Sequence, residues 1–119
     1  QLERMKGPVL VLAGDSPLVQ TSSLQELIAL AATTKPACLL GTLIKDNPAG
    51  LGRIVRDEHE QFARIIEHKD ATPEELLICE VNMSTYLFDS QELLWSLNRL
   101  SSNNAQNEYY LTDCPQILL

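Results

Sequence analysis

Basic charge is scarce in this sequence. Nine Lys and Arg stand against sixteen Asp and Glu, a formal net charge of −7 over 119 residues. Nucleic-acid affinity comes mainly from Lys and Arg displacing counterions, so the balance argues against a phosphate-backbone binder. It argues equally against a polybasic membrane patch. Long apolar runs are lacking too: Pro8–Ala13 and Ala37–Leu40 fall far short of the roughly 20 residues that span a bilayer. Near Gln1, Glu3 precedes Arg4 and Lys6 and no apolar stretch with a small-residue cleavage site follows, so no secretory signal is read. The three cysteines, Cys38, Cys79 and Cys114, form no CxxC pair, which removes a zinc knuckle or a thioredoxin-type site. They read as reduced, quiet thiols in a reducing compartment, and a soluble cytoplasmic chain is the expectation.

What is present is ordinary globular material. Hydrophobic residues make up 45% and charged residues 21%, in a length that suits one small domain. Pro8–Ala13, ended by Gly14-Asp15, reads as a buried strand of a parallel sheet. Thr21 or Ser22 suits a helix cap, with Leu24, Leu27, Ile28 and Leu30–Ala32 on one apolar face. Lys35-Pro36 stops that helix, and Ala37–Ile44 reads as a second strand. The order and length predict a βαβ crossover.

After a loop rich in turn formers, Asp46–Gly52, the segments Arg53–Asp57 and Gln61–Glu67 alternate apolar with polar and predict an antiparallel hairpin. Thr72-Pro73-Glu74-Glu75 reads as a helix start, Glu80–Phe88 as a strand and Ser90–Leu100 as a helix. Ser101–Asn107 is a polar loop, and Tyr109–Leu119 admits no single assignment. The apolar last residues, Ile117-Leu118-Leu119, and the absence of an initiator Met read as a piece of a longer chain.

Five segments carry residues suited to chemistry. Asp15 follows a strand end, where open α/β sheets bind ligands, and suits Mg²⁺; it suits capping of the following turn as well. Gly50-Leu51-Gly52 lets backbone N–H groups approach a ligand, or makes a tight connection between strands. Glu67-His68-Lys69-Asp70 offers a carboxylate to sugar hydroxyls, or is a solvated charge run; His59 and His68 lack metal-ligand spacing and read as surface residues. In Glu80-Val81-Asn82, alternation puts Glu80 and Asn82 on one face, and an Asn amide both donates and accepts. Asn103–Asp113 is dense in amides and aromatic hydroxyls.

In this order, the segments resemble the uridyltransferase (pyrophosphorylase) domain of the bifunctional N-acetylglucosamine-1-phosphate uridyltransferase family. The resemblance runs from Val9 to Asp113. It is carried by Gly14-Asp15-Ser16-Pro17-Leu18, Asn47–Ile54, Glu67–Thr72, Glu80-Val81-Asn82 and Asn103–Asp113. It implies a partial Rossmann-like nucleotidyltransferase domain, an α/β fold with a mixed sheet and flanking helices. It also implies the reaction of UTP with N-acetylglucosamine 1-phosphate to give UDP-N-acetylglucosamine and pyrophosphate. Asp15 would then be the catalytic Mg²⁺ ligand. Gly14, Gly52, Glu67, Asn82, Glu108, Tyr110 and Thr112 would bind substrate, with Glu67 and Asn82 on the sugar hydroxyls and the N-acetyl region.

The sequence departs from that family at named places. Leu51 replaces a tyrosine, Met83-Ser84 replaces Thr-Gly, Asn107 replaces a glycine, and Ala13 stands where many members carry tyrosine. Met83 would add bulk beside the sugar. The family's Gly-rich triphosphate loop, its uridine-reading segment and a second Mg²⁺ ligand are not among these residues, so the chain by itself is expected not to turn over. Two other readings stand beside this one: transfer to a different sugar phosphate, and a non-catalytic sugar-nucleotide-binding module. An open sheet would also favour self-association.

Overall fold

The computed structural model describes residues 2–13 and 20–119. Gly14 and Asp15 lie outside the described residues. Five strands form one sheet around a long central strand, β5 (Glu80–Asp89). One edge of β5 takes β2 (Cys38–Ile44) along its length. The other edge takes β1 (Pro8–Leu12) over Thr85–Asp89 and then β3 (Arg53–Arg56) at Val81. Strand β4 (Phe62–Ile66) completes the predicted hairpin with β3, Ile54 facing Ile65.

The expected βαβ unit is therefore split. Both β1 and β2 run antiparallel to β5, so they point the same way with β5 between them. Helix α1 (Thr21–Thr34) makes the crossover, and the pairing is antiparallel, not parallel as the apolar run suggested. Nor is β1 buried on both faces, since Leu10 and Leu12 are 37% and 44% exposed. The reason is covering: α1 has no buried residue and leaves a groove of about 620 Å³ between its Ile28, Ala31 and Ala32 and the sheet's Pro8, Leu10 and Leu87. Gln20 stands at the α1 N-cap in place of Thr21 or Ser22, without a side-chain bond. Lys35, at φ 47, ends the helix as its N–H reaches the Ala31 carbonyl, just before Pro36.

The opposite face of the sheet carries the core. Ile54, Ile65, Tyr86, Phe88, Leu93 and Cys114 are buried together, with the Tyr86 and Phe88 rings stacked at 5.7 Å. Helix α2 (Ser90–Leu97) covers them, its first turn capped by the Asp89 carboxylate, which accepts from the Gln91 and Glu92 N–H groups. The last residues, left unassigned by pattern, form a 3₁₀ turn (Leu111–Asp113) and the short α3 (Cys114–Ile117), and Leu118 packs on the core. The helix expected from Thr72 amounts to one 3₁₀ turn, Glu75–Leu77. Its capping chemistry is nonetheless complete, Thr72 and Glu75 exchanging side-chain bonds with each other's N–H.

Candidate functional site

The C-terminal end of β1 and the start of β3 meet on one edge of β5, and the candidate residues gather around that junction. Ala13 N–H donates to the Ser84 carbonyl at 3.1 Å, and Asn82 N–H to the Gly52 carbonyl at 2.9 Å. A two-residue slip in the β2–β5 register between Leu40 and Thr42 accompanies the junction. Ser84 there has φ 56, a left-handed backbone held by its N–H donating to the Asn82 side-chain oxygen at 3.0 Å. That conformation explains a family glycine at this position, and Asn107, at φ 54, explains the other.

Asn82 is buried. Its amide nitrogen donates to the Tyr86 hydroxyl at 2.8 Å, which leaves one N–H and one lone pair for a ligand. Burial pushes the Tyr86 phenol up to about 12, opposed by the Asn82 hydrogen bond and helped to a lesser degree by the Glu67 carboxylate. Glu67, at the end of β4, accepts from the Thr112 hydroxyl at 2.8 Å. A side chain at position 52 would point at that carboxylate: a Cβ built on Gly52 lies 3.6 and 3.7 Å from its two oxygens, and 3.2 Å from Ile65. Glycine there keeps the carboxylate uncovered.

Beside Glu67 opens a cleft of about 160 Å³, lined also by Asp70, Asn103, Asn104, Tyr110 and Asp113. Asp70 ties its wall together by accepting from Ala105 N–H at 2.7 Å. Burial raises the Asp113 carboxyl above its usual range, with Glu67 and Asp70 adding to the effect. The Tyr110 phenol is raised too, first by burial and then by Asp70. A cleft with this charge attracts hydroxyl donors and repels phosphate oxygens. Among the described residues no three His, Cys, Asp or Glu gather to hold a metal ion.

The structure thus brings Gly52, Glu67, Asn82 and Thr112 together, with Tyr110 in the adjoining cleft. Glu108 is exposed and does not line the cleft; its backbone instead closes the Asn104 loop. Glu80, on the strand with Asn82, is spent on an ion pair with Arg56 at 2.8 Å. Met83 does not stand beside Gly52, Glu67 and Thr112. It faces Gly41 and the space under Leu24 and Leu27 of α1, because β5 alternates faces around Asn82.

Pattern reading missed two side chains outright. Arg53 is 2% exposed, its guanidinium donating to the Leu51 carbonyl at 2.6 Å, the Leu76 carbonyl at 3.2 Å and the His68 ring at 2.9 Å. His68 is half-buried, not a surface residue, and its Nδ1 also accepts from Gly50 N–H at 3.2 Å. In the alternating run from Arg53 to Asp57, Arg53 looks like any solvent-facing cation. His59 is exposed, near Glu58 at 3.5 Å. The cysteines are free as expected; Cys114 is buried and Cys38 half-buried, burial pushing the Cys38 thiol up to about 12, while Cys79 is exposed. No helix among the described residues is long and apolar enough to cross a membrane.

No protein-family model matches the chain. Over 117 residues it is 45% identical to the bifunctional protein GlmU of Geobacillus sp. (strain WCH70) and 44% identical to that of Clostridium novyi (strain NT). Each alignment takes in 98% of this chain and 26% of the relative. The bifunctional protein GlmU of Streptococcus sanguinis (strain SK36) is 45% identical over 112 residues, 94% of this chain and 24% of its own. The chain spans about a quarter of the length of these relatives. Among solved structures, UDP-glucose pyrophosphorylase complexed with UDP-glucose superposes with a TM-score of 0.68 at 12% identity, over 97% of this chain and 45% of that one. Its apo form gives 0.65 at 13% identity, over 94% and 42%. The α/β fold with its flanking helices is therefore the Rossmann-like fold of those enzymes.

Proposed function

From a chain that belongs with the bifunctional GlmU proteins over 117 of its residues, we propose that it is the sugar-side part of a uridyltransferase. The whole protein would join UTP and N-acetylglucosamine 1-phosphate into UDP-N-acetylglucosamine and pyrophosphate. One observation carries the reading. Gly52, Glu67, Asn82 and Thr112, distant in sequence, converge beside an acidic cleft that suits hydroxyls and not phosphates. Glu67 would accept two sugar hydroxyls, Asn82 would use its spare N–H and lone pair on the N-acetyl group, and the bare Gly52 backbone would let the sugar come close. In-line displacement between phosphates needs positioning more than a covalent nucleophile, and positioning is what Gly52, Glu67, Asn82 and Thr112 would supply.

Mg²⁺ would neutralise phosphate charge in that reaction. The described residues build no cage for it, so its place in the proposal rests on Asp15 alone, and Mg²⁺ usually takes only one or two protein carboxylates. UTP, the sugar phosphate and a cytoplasmic location belong to the proposal on the same footing. Transfer to another sugar phosphate keeps one observation in its favour, Leu51 in the loop beside Gly52, since Met83 is turned away.

The test uses the whole protein that carries this segment. Pyrophosphate release from UTP and N-acetylglucosamine 1-phosphate is expected to fall about 10–100-fold in Glu67→Gln, the cost of one charge-assisted bond to the sugar. An unchanged rate, or equal use of glucose 1-phosphate, would overturn the substrate assignment.

A further inference from the structure

Loop and turn meet at one ring nitrogen. The loop before β3 bends at Pro48–Leu51, where Leu51 N–H donates to the Pro48 carbonyl at 3.1 Å and Gly50 takes φ 80. Nothing else in the loop's own backbone fixes Gly50. Its N–H points to Nδ1 of His68, at 3.2 Å, and the Arg53 guanidinium reaches the same nitrogen from 2.9 Å while holding the Leu51 carbonyl at 2.6 Å. Two donors on one ring nitrogen require that nitrogen to be an acceptor, so the imidazole is uncharged with its proton on Nε2. Protonation would set a third N–H against a guanidinium that is 2% exposed.

We infer that Arg53 and uncharged His68 are positioning residues for the Gly50–Gly52 loop, and that protonating His68 releases it. The three-residue turn His68–Asp70 then has two jobs, because Glu67 just before it faces Thr112 and Gly52 while His68 faces the loop. The charged groups around the ring leave Arg53 as the deciding one. Asp46 of the loop is exposed. Asp70 is engaged by Ala105, and Lys69 is exposed. Glu75, on the turn whose Leu76 carbonyl Arg53 also holds, is paired with Arg64. The consequence for ligand rests on the sugar-side reading above: a released loop would no longer hold Gly52 against Glu67.

The experiment is an NMR pH titration of this chain, following the His68 ring nitrogens and the Gly50, Leu51 and Gly52 amides. The amides are expected to move with the ring, on a single midpoint, while Val81 and Phe88 amides stay still. His68→Gln retains an acceptor that does not titrate, so its loop signals should hold the high-pH position throughout. His68→Lys should show the released position throughout; where it fails to fold, the Gln variant and the wild-type titration still decide. A proton on Nδ1 at pH 8, or loop amides indifferent to the ring, overturns the inference. UDP-N-acetylglucosamine affinity at pH 8, measured on the whole protein that carries this segment and expected about 5-fold weaker in its His68→Lys variant, separates the two ideas. A loop that titrates in this chain, beside a whole protein indifferent to that ligand, would sink the function and leave the clamp standing.

Discussion

Ser84 carries a left-handed backbone that costs a residue with a Cβ roughly 1–2 kcal/mol, partly repaid by its bond to Asn82. Ser84→Gly removes that cost but enlarges the freedom of the unfolded chain, so a net gain of about 0.5 kcal/mol in urea unfolding is expected. Tyr86 gives a pH signature. The unfolded phenol loses its proton near its usual 10 while the folded one keeps it to about 12. Stability present below about pH 10 should therefore fall as pH rises toward 12, at up to roughly 1.4 kcal/mol per unit. Cys38, raised from 9 to about 12, acts in the same direction from a lower starting pH. Tyr86→Phe should lose the tyrosine share of that slope. At pH 7 it should cost about 1–2 kcal/mol, since the buried Asn82 N–H loses its acceptor.

Among the elements, α2 depends most visibly on one side chain. Asp89 ends β5 and caps α2 with bonds of 3.1 and 3.2 Å, so strand and helix share a residue. Asp89→Ala is expected to lower stability by about 1 kcal/mol, a fall of roughly 4 °C in Tm for a chain of this size, read by thermal unfolding. Strand β5 is the other element whose part exceeds its pattern. Glu80–Phe88 read as a strand, yet nothing in it said that β1, β2 and β3 would all pair with it. Alternation did announce the β3–β4 hairpin, because two alternating runs joined by a short polar segment are a local signal. The single turn after Thr72 shows the limit of local signals: a correct cap starts a helix, but packing decides its length.

For the molecule as a whole, one sheet face is well covered and the other is not. Ile28 and Leu30 of α1 are 51% and 48% exposed, Ile44 of β2 is 68% exposed, and among the described residues the outer edges of β1 and β2 have no partner. Open edges beside apolar surface invite pairing between chains. Sedimentation of this chain is therefore expected to show concentration-dependent association, weakened by Leu10→Lys and Ile28→Lys; a monomer at every concentration would contradict it.

The residue pattern alone determined the strands, the α1 and α2 helices, the hairpin and the kinship, because each is written in neighbouring residues: periodicity, caps, turn formers and short ordered motifs. It also named Gly52, Glu67, Asn82 and Thr112. Tertiary structure decided their meeting, the antiparallel threading of β5 between β1 and β2, the turning of Met83 toward α1, and the burial of Arg53 against His68. Those depend on which segments, dozens of residues apart, share a sheet edge, and the energy of that choice lies in contacts that no local stretch contains.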